Sequence, residues 1–482
     1  MRRRITLLII VILFIYIGFA AVSALSVKKA VGTLNKAADA VKAQDLDSAK
    51  LQLKNAKGDF QTTQKIMFVF TPLRIIPLLG WYVGDAQRGV AAAISGLDAA
   101  STTAEAITPY ADVLGLKGEG TFLGGTAQER LAKAIEALSK IGPDLDKVGT
   151  SLADTKKQVD GIASWRYPNF LPGQPGAKID NIKKAVDQVE SLIVDSRPLL
   201  LVLPQIMGED KERKYLVLFQ NDKEIRPTGG FITAYANFRV NKGVIASEGS
   251  DDIYRLDSTL LKKVTAPAPI LKYLEGVPNL NLRDSNLSPD YLVSMKTFED
   301  LYDSTSAPKD IDGIFALDTY FVVAMMRVLG PVDAYGTKFT VDQVEGCDCP
   351  QVIYELEKYA DEPVNYERGS RKDIIGVLMQ QLMAKAFSAP KGQWPSLLET
   401  IITSLRGKHL LLYFHDPAIQ QAAEKINFAG RIYNYDGDYL HINEANLGGA
   451  KSNLYVQQKV KQVIKEEKDG TITKTVTIDY KY

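Results

Sequence analysis

The stretch KYLVLFQNDKEIRPTGGFITAYANFRV, residues 214–240, decides the fold of the second half of this 482-residue chain. It begins with an apolar run at 214–219, which is typical of a strand buried on both faces of a sheet. Apolar and polar side chains alternate from 231 to 240, which indicates a second strand. Residues 220–230 separate the strands and include an arginine, a proline and two glycines. Because a hairpin needs only about two to five loop residues, we expect this longer loop to carry a function.

The segments after this loop continue as strands and helices. A third strand follows a hairpin turn at 241–243, and IDGIFAL at 311–317 is a strand that runs into a helix capped by Asp318. This pattern predicts a layered α/β domain with a mixed sheet over residues 206–430. Residues 431–482 are predicted to form a β-rich C-terminal segment. Its pattern breaks off in mid-strand, which favours a natural protein that continues further.

A membrane anchor is predicted within residues 1–25. Residues 5–25 carry no charge, and as a helix they extend about 31 Å, enough to cross a hydrocarbon core of about 30 Å. Three arginines precede this run, so we expect a cytoplasmic N-terminus, one span of the cytoplasmic membrane and an extracytoplasmic location for the rest of the chain. A cleaved signal peptide is the alternative, because residues 22–24 have small side chains suited to cleavage.

An extracytoplasmic helical region is predicted for residues 26–205, where apolar side chains recur every three or four positions. We expect its helices to pack as an antiparallel bundle or stalk. The segment IMFVFTPLRIIPLLGWY at 66–82 is strongly apolar but contains two prolines and an arginine. It either caps the core of the bundle or lies in the membrane interface, and we favour the core.

The composition argues against several classes of protein. A net charge of +1 and a pI of about 7.6 give no basic surface for nucleic acid. The sequence has neither the motif of a zinc enzyme nor that of a nucleotide-binding loop. Cys347 and Cys349 are too close in sequence for an unstrained disulfide, so we predict loop thiols in an exported chain without a disulfide framework.

Two predicted helix starts carry charges that suit an anion. Arg368, Arg371 and Lys372 lie around the start of one helix, and the positive end of a helix favours a negative ligand. Neutralisation by nearby acidic side chains explains these charges equally well. Arg283 and Asp284 lie before another helix start, and they fit either a binding site or a buried structural ion pair.

A resemblance to a known family rests on four motifs, which are YLVLFQNDKEIRPTGGFITAYA, LRDSNLSPD, IDGIFALDTYFVVAMMRVLGPV and NEANLGGAKSNLYV. They resemble the bacterial family known as domain of unknown function 4012. The resemblance covers roughly residues 206–482, and the anchor and helical region upstream are arranged as in that family. Because that family has no established function, this resemblance implies an arrangement of domains and no chemistry.

The order of these segments is also similar to that of the LytR-CpsA-Psr family. Those membrane-anchored enzymes move glycopolymers from a polyprenyl pyrophosphate carrier onto the cell wall, with arginines that clamp the pyrophosphate and aspartates that hold Mg²⁺. The resemblance implies catalytic roles for Arg226, Arg255, Arg368 and Arg371. The residues of the loop and of the two helix starts add Gly229, Gly230, Arg283 and Lys372 as candidate ligand-binding residues, and Asp252, Asp257 and Asp284 remain as candidate ligands for Mg²⁺.

The sequence departs from the pattern of that family at several positions. Thr228 stands where the family has its first aspartate, Asn365 replaces a later aspartate, and Lys372 replaces a glutamine. One residue also separates Arg255 from Asp257. Because Mg²⁺ needs oxygen ligands in near-octahedral geometry, these losses favour an anion clamp over a metal site.

Two functional hypotheses follow from the clamp. Planar guanidinium groups meet phosphate oxygens in pairs and stabilise the charge that grows as a pyrophosphate leaves a sugar. Gly229 and Gly230 would let a ligand approach the backbone, although they also fit an ordinary bulge beside a solvent-facing Arg226. The first hypothesis is an envelope protein that binds a polyprenyl-pyrophosphate-linked glycan and transfers it to a cell-wall acceptor. The second is a non-catalytic envelope binding or structural protein with a stalk and an α/β head.

Overall fold

The computed structural model describes residues 2–111, 126–140, 142–170, 172–347, 349–361, 373–448 and 451–482. The chain forms two compact units, Met1–Gln205 and Ile206–Tyr482. The predicted fold class is confirmed, because an N-terminal helical region is followed by a mixed sheet with helices and by C-terminal strands.

The first unit is helical throughout its described residues. Its helices are α1 (Arg2–Lys42), α2 (Leu46–Met67), α3 (Leu79–Ile107), α4 (Ala127–Lys140), α5 (Gly142–Asp160) and α6 (Pro175–Ile206), with short 3-10 helices at Phe68–Ile75, Thr108–Tyr110 and Ser164–Arg166. Asp45 caps α2 by accepting the backbone N–H of Ser48 at 3.0 Å. This turn folds α2 back along α1, where Ala30 and Ala37 are buried in one cluster with Phe60.

The helix α1 continues without a break from the predicted anchor into the bundle. Within the described part of the chain it is the helix that is long and apolar enough to cross a membrane. The first unit is therefore compatible with single-pass anchoring through its N-terminal helix.

The prediction that residues 66–82 cap the bundle core holds for part of this segment, because Met67 is buried in the cluster with Phe60 and Phe70 packs against that cluster. The 3-10 helix Phe68–Ile75 in this segment contains no buried residue. Ile75 is 87% exposed and Leu78 is 62% exposed, so these apolar side chains face away from the core. Pro72 and Pro77 cannot supply backbone N–H groups to a regular helix, and regular α-helical geometry is interrupted here between α2 and α3.

The second unit is built around a five-stranded sheet. Its main elements are β1 (Arg213–Asn221), β2 (Phe231–Asn241), β3 (Val244–Asp252), α7 (Ile253–Ser258), α8 (Ala268–Tyr273), α9 (Tyr291–Tyr302), β4 (Gly313–Asp318), α10 (Thr319–Leu329), β5 (Val332–Ala334), β6 (Thr337–Phe339), β7 (Gln343–Val344), β8 (Cys349–Pro350), α11 (Gln351–Asp361), α12 (Asp373–Ser388), α13 (Trp394–Arg406), β9 (Leu410–Phe414), α14 (Pro417–Lys425), β10 (Gln457–Glu466) and β11 (Ile472–Lys481). Short 3-10 helices lie at Leu282–Asp284, Lys391–Gln393 and Ser452–Leu454. The strand order is β3-β2-β1-β4-β9.

Only the pairing of β1 with β4 is parallel in this sheet; its other three pairings are antiparallel. The register places Gln220 beside Asp318, so both parallel strands end at the same edge. In open α/β sheets, ligands bind beyond the carboxyl ends of parallel strands. The loop 222–230 leaves β1 at this edge.

Helices cover both faces of the sheet. On one face, Val217 and Phe219 of β1 pack in a cluster with residues of α10, α11, α12 and α13. On the other face, Leu216 and Leu218 pack with residues of α7, α8 and α9. Because successive side chains of a strand point to opposite faces, the apolar run in β1 supplies both clusters.

The prediction of two free loop thiols is wrong. Cys347 and Cys349 form a disulfide with a Cα–Cα distance of 5.1 Å, which is an ordinary separation for a disulfide. The two short strands β7 and β8 pair Val344 with Cys349, and the turn between them brings the two cysteines together. Sequence spacing alone could not anticipate this turn.

Candidate functional site

The candidate site begins with Arg226, in the loop that leaves β1. Its side chain is buried, and the residue is 2% exposed. One terminal nitrogen donates to the carbonyl oxygens of Ile225 and Asn446, and the other lies 3.2 Å from Glu224 Oε1. The guanidinium also stacks over the ring of Phe231, 5.2 Å from its centroid. The structure therefore places Arg226 inside the protein with partners of its own.

Two aspartates and a second arginine extend this network. Arg283 donates to Asp257 Oδ2 at 2.6 Å. Asp284 is fully buried; its Oδ1 lies 3.7 Å from Arg226 Nη2 and its Oδ2 lies 3.5 Å from Arg283 Nε. We refer to Glu224, Arg226, Asp257, Arg283 and Asp284 as the Arg226 cluster. It holds three carboxylates against two guanidiniums, so it has no surplus positive charge.

Burial dominates the electrostatics of the Arg226 cluster. Desolvation raises the pKa of Glu224, Asp257 and Asp284 above their ordinary values, although the neighbouring arginines act in the opposite direction. Both carboxylate oxygens of Asp284 and the Nε of Arg226 have no hydrogen-bond partner among the described residues. Buried polar atoms of this kind mark either stored strain or the place of a polar ligand.

The two glycines of the loop allow the backbone to pack closely against other parts of the same chain. Gly229 has a φ of +124°, a conformation that side chains disfavour. A Cβ atom on Gly230 would lie 2.3 Å from the carbonyl oxygen of Asn221. The loop also closes on itself, because the N–H of Phe231 donates to Glu224 O at 2.9 Å. These contacts explain both glycines without a ligand.

Polar side chains from separate motifs lock this loop in place. Thr228 Oγ1 accepts a hydrogen bond from Gln220 Nε2 and another from Asn286 Nδ2, each at 2.7 Å. Asn286 also donates to Gly230 O at 2.9 Å. The position that departs from the aspartate of the transferase family, Thr228, is therefore buried inside the fold.

Two of the remaining predicted site residues contact residues that are not in the Arg226 cluster, and the others are outside the described residues. Arg255 has a side chain that is 60% exposed and lies 3.2 Å from Asp251. Asp252 caps α7 by accepting the N–H of Tyr254 at 3.0 Å. Arg368, Arg371 and Lys372, and also Asn365, are outside the described residues.

The three aspartates do not fit a Mg²⁺ site in this arrangement. Asp252 caps a helix, while Asp257 and Asp284 face arginines. A guanidinium beside a carboxylate competes with a cation for its oxygens. Within the described ranges, no group of three or more His, Cys, Asp or Glu side chains could hold a metal. Mg²⁺ remains a prediction from the resemblance.

A second polar group lies at the same edge of the sheet, where β4 ends and β9 begins. Nδ1 of His409 donates to Asp318 Oδ2 at 2.7 Å. The other oxygen of Asp318 accepts the N–H of Phe321 at 3.0 Å and caps α10. Asp318 is buried, which raises its pKa, whereas the side chain of His409 is 32% exposed. Nε2 of His409 has no hydrogen bond with any described residue.

The surroundings of His409 fix the plane of its ring. Tyr320 stacks on the imidazole with ring centroids 3.9 Å apart. Beside this pair, Thr319 donates its hydroxyl to Asp222, the first residue of the loop after β1. A histidine that is oriented by a buried carboxylate and whose Nε2 has no hydrogen bond with a described residue can accept a proton from a bound hydroxyl.

No sequence motif predicts Asp222 or His409 as site residues, and the sequence predicts only a helix cap for Asp318. Asp222 and Asp318 each follow a buried strand, and that pattern could have suggested a shared edge. His409 carried no such signal, because its proximity to Asp318 depends on the antiparallel pairing of β4 with β9.

Comparisons with known proteins give one match. Neither curated proteins nor solved structures gave a match to this chain. Residues 210–347 match the model of a family described as Protein of unknown function (DUF4012). The matched segment contains the Arg226 cluster and Asp318, and it ends before His409. This match supports the resemblance of the chain to the DUF4012 family.

Proposed function

We propose that this chain is a membrane-anchored, extracytoplasmic envelope protein that binds a polyprenyl-pyrophosphate-linked glycan and transfers the glycan to a cell-wall acceptor. The apolar start of α1 supports anchoring. The disulfide between Cys347 and Cys349 supports a location outside the cytoplasm, since disulfides persist in oxidising compartments. The order of segments similar to the LytR-CpsA-Psr family supports the class of substrate.

The observation that carries transfer is the His409–Asp318 pair at the carboxyl edge of the parallel strands. As the acceptor hydroxyl attacks the anomeric carbon of the donor glycan, His409 Nε2 takes the hydroxyl proton. The bond from that carbon to the pyrophosphate breaks, and polyprenyl pyrophosphate leaves. Asp318 keeps the proton on Nδ1 and stabilises the imidazolium that forms. In this proposal no step uses Mg²⁺.

The Arg226 cluster has a positioning role in this proposal. Its arginines are already paired with carboxylates, so they hold the loop 222–230 and the 3-10 helix Leu282–Asp284 against each other. The anion clamp then falls to Arg368, Arg371 and Lys372, which remain predictions from the sequence.

A second candidate function is binding of the same glycolipid without turnover. The burial of Arg226 and Arg283 favours it, because neither side chain is left to stabilise a leaving pyrophosphate. The two candidates share a ligand and differ in the role of His409.

The test compares two histidine–carboxylate pairs at opposite ends of β9. His409 precedes this strand, and His415 follows it and contacts Glu299. The full chain in lipid nanodiscs receives a labelled polyprenyl-pyrophosphate disaccharide and peptidoglycan fragments. We expect His409→Gln to lower the rate of transfer about 10²- to 10⁴-fold, whereas the matched control His415→Gln keeps the wild-type rate.

Binding of the donor, measured with and without Mg²⁺, separates the candidates. Turnover that survives in His409→Gln contradicts the proposed base. Binding that is lost in Arg371→Ala, with no turnover in the wild type, favours the second candidate. A wild type that binds no donor contradicts both.

A further inference from the structure

An exposed apolar surface surrounds the junction of α2 and α3 in the first unit. It consists of Phe68, Ile75, Leu78, Trp81, Trp165 and Phe170, and we call it the apolar collar. Phe68 and Trp165 are each 73% exposed, and Phe170 is 86% exposed. Contiguous apolar side chains on a surface usually mark contact with another phase or partner.

Contacts with α1 give the height of the apolar collar along the predicted membrane span. Ser26, the first residue after the span, hydrogen-bonds to Thr63 of α2 at 2.6 Å. Phe70, farther along the chain, packs against Tyr16 with ring centroids 5.8 Å apart. Tyr16 lies ten residues before Ser26, which is about 15 Å along a helix. The 3-10 helix Phe68–Ile75 therefore lies beside the half of the span that is nearer to the bundle.

The aromatic part of the apolar collar is held in a defined arrangement. Trp81 and Trp165 meet edge to face with centroids 6.2 Å apart. The guanidinium of Arg166 lies 5.1 Å from the first ring and 5.5 Å from the second. Arg166 is anchored to the buried Asp85 by two hydrogen bonds of 3.0 and 3.1 Å. Tryptophan and arginine are both common at the boundary between lipid and water.

A basic pocket adjoins the apolar collar. Its volume is about 550 Å³, and its lining residues are Gln64, Lys65, Phe68, Thr71, Arg74, Gln87, Arg88, Ala91 and Gln158. Three of these side chains are cationic and none is acidic. Arg88 also lies 3.5 Å from Asp85, which lies outside the lining. A positive pocket beside an apolar rim is complementary to the phosphate of a lipid.

We propose that the apolar collar docks into the leaflet on the bundle side of the membrane that α1 crosses, with the long cationic side chains of the basic pocket extending toward the lipid phosphates. This inference rests on the anchoring of α1 and does not depend on glycan transfer. The occupant is an anionic phospholipid surface, because the height of Phe70 against Tyr16 places the apolar collar beside the bilayer. Docking gives the bundle a second attachment to the membrane.

Depth-dependent fluorescence quenching tests this docking. The chain contains three tryptophans, Trp81, Trp165 and Trp394, so replacing two of them by Phe leaves one reporter. The full chain is placed in vesicles of phosphatidylcholine with or without phosphatidylglycerol, and lipids brominated at several depths quench the emission. A control variant carries Val41→Trp after all three native tryptophans are replaced by Phe. Val41 is exposed near the far end of α1, 25 residues or about 38 Å from the level of Tyr16.

We expect Trp81 and Trp165 to lose emission to shallow bromolipids and the tryptophan at position 41 to lose none. Ile75→Asp, at an exposed position, should abolish the quenching of Trp81 without unfolding the bundle. Arg74→Gln should weaken the quenching in the vesicles with phosphatidylglycerol more than in those without it. Equal quenching at positions 81, 165 and 41, or none at positions 81 and 165, would overturn the proposal.

Discussion

Two charged groups lie along the same edge of the sheet. They differ in how far their charged side chains are buried against opposite charges. In the Arg226 cluster, five ionisable side chains face one another, and both Arg226 and Asp284 are nearly or fully buried. In the His409–Asp318 pair, the carboxylate is buried while the imidazole is one-third exposed. The first arrangement is closed to solvent and the second is open on one side.

In our proposal, the closed Arg226 cluster has a structural role and the open His409–Asp318 pair has a chemical one. The residues that made the sequence motif conspicuous, from Gln220 to Gly230, hold one another and the 3-10 helix Leu282–Asp284 in place. The residue that we propose as the base, His409, belongs to no motif. The two arginines of the Arg226 cluster are weak evidence for an anion site, because each of them already faces a carboxylate.

The largest expected effect is loss of stability when the closed cluster is broken. Arg226→Gln leaves Glu224 and Asp284 buried with less counter-charge, and removal of one partner of a buried pair costs about 3–5 kcal/mol. Arg239→Gln is the matched control, because Arg239 pairs with Glu248 on the surface, where a pair contributes about 0–1 kcal/mol.

Urea unfolding checks this prediction when it is followed through Trp394, the tryptophan of the second unit, after Trp81 and Trp165 are replaced by Phe. Equal losses of stability in the two variants would mean that Arg226 is not held by buried carboxylates. The comparison between a closed and an open cluster would then fail.

A smaller effect should appear when the stability of Asp284→Asn is compared with that of the wild type at different pH values. Burial raises the pKa of Asp284 in the folded state. The contribution of the protonated side chain to the free energy of unfolding is therefore complete below its ordinary pKa of about 3.9 and is lost as the pH rises through the raised value. The wild type should therefore lose stability relative to Asp284→Asn as the pH rises above about 4.

Urea midpoints of the wild type and Asp284→Asn, measured from acid to neutral pH, give the difference in stability between the two proteins. Asp300→Asn, on the exposed face of α9, controls for the loss of one carboxylate at the surface. A wild type that instead gains stability relative to Asp284→Asn as the pH rises would show that the arginines outweigh burial, and the cluster would then be an ordinary stabilising network.

The smallest effect concerns His415, the other histidine beside β9. Its hydrogen bond to Glu299 raises the pKa of its imidazole, so the stabilisation is present below about 6.5 and is lost as the pH rises through the raised pKa. His415→Gln should therefore be less stable than the wild type at pH 6 and equally stable once His415 is neutral. Because the side chain is 37% exposed, we expect at most about 1 kcal/mol.

Thermal unfolding across this pH range measures the difference, and His441→Gln in the exposed segment before β10 is the control. A difference between wild type and His415→Gln that persists at high pH would assign the effect to packing. It would also weaken the use of this variant as a control for His409.

Much of the fold could be predicted from the sequence because its signals are local. The apolar run at 214–219, the alternation after 231 and the helix cap at Asp318 each depend on neighbouring residues, and all three appear in the structure. The cysteine pair and the segment 66–82 could not be predicted in the same way. Their outcomes depend on a turn between β7 and β8 and on where the bundle core ends.

The sequence by itself determined the order of the anchor, the helices and the mixed sheet, since periodicity and apolar runs set which segments become helices and strands. Only the tertiary structure decided which charges are satisfied. Arg226 is neutralised by Asp284, 58 positions later, and His409 meets Asp318, 91 positions earlier. Pairing of strands and packing of loops set such distances, and burial then determines whether a charge stabilises the fold or remains available to a ligand.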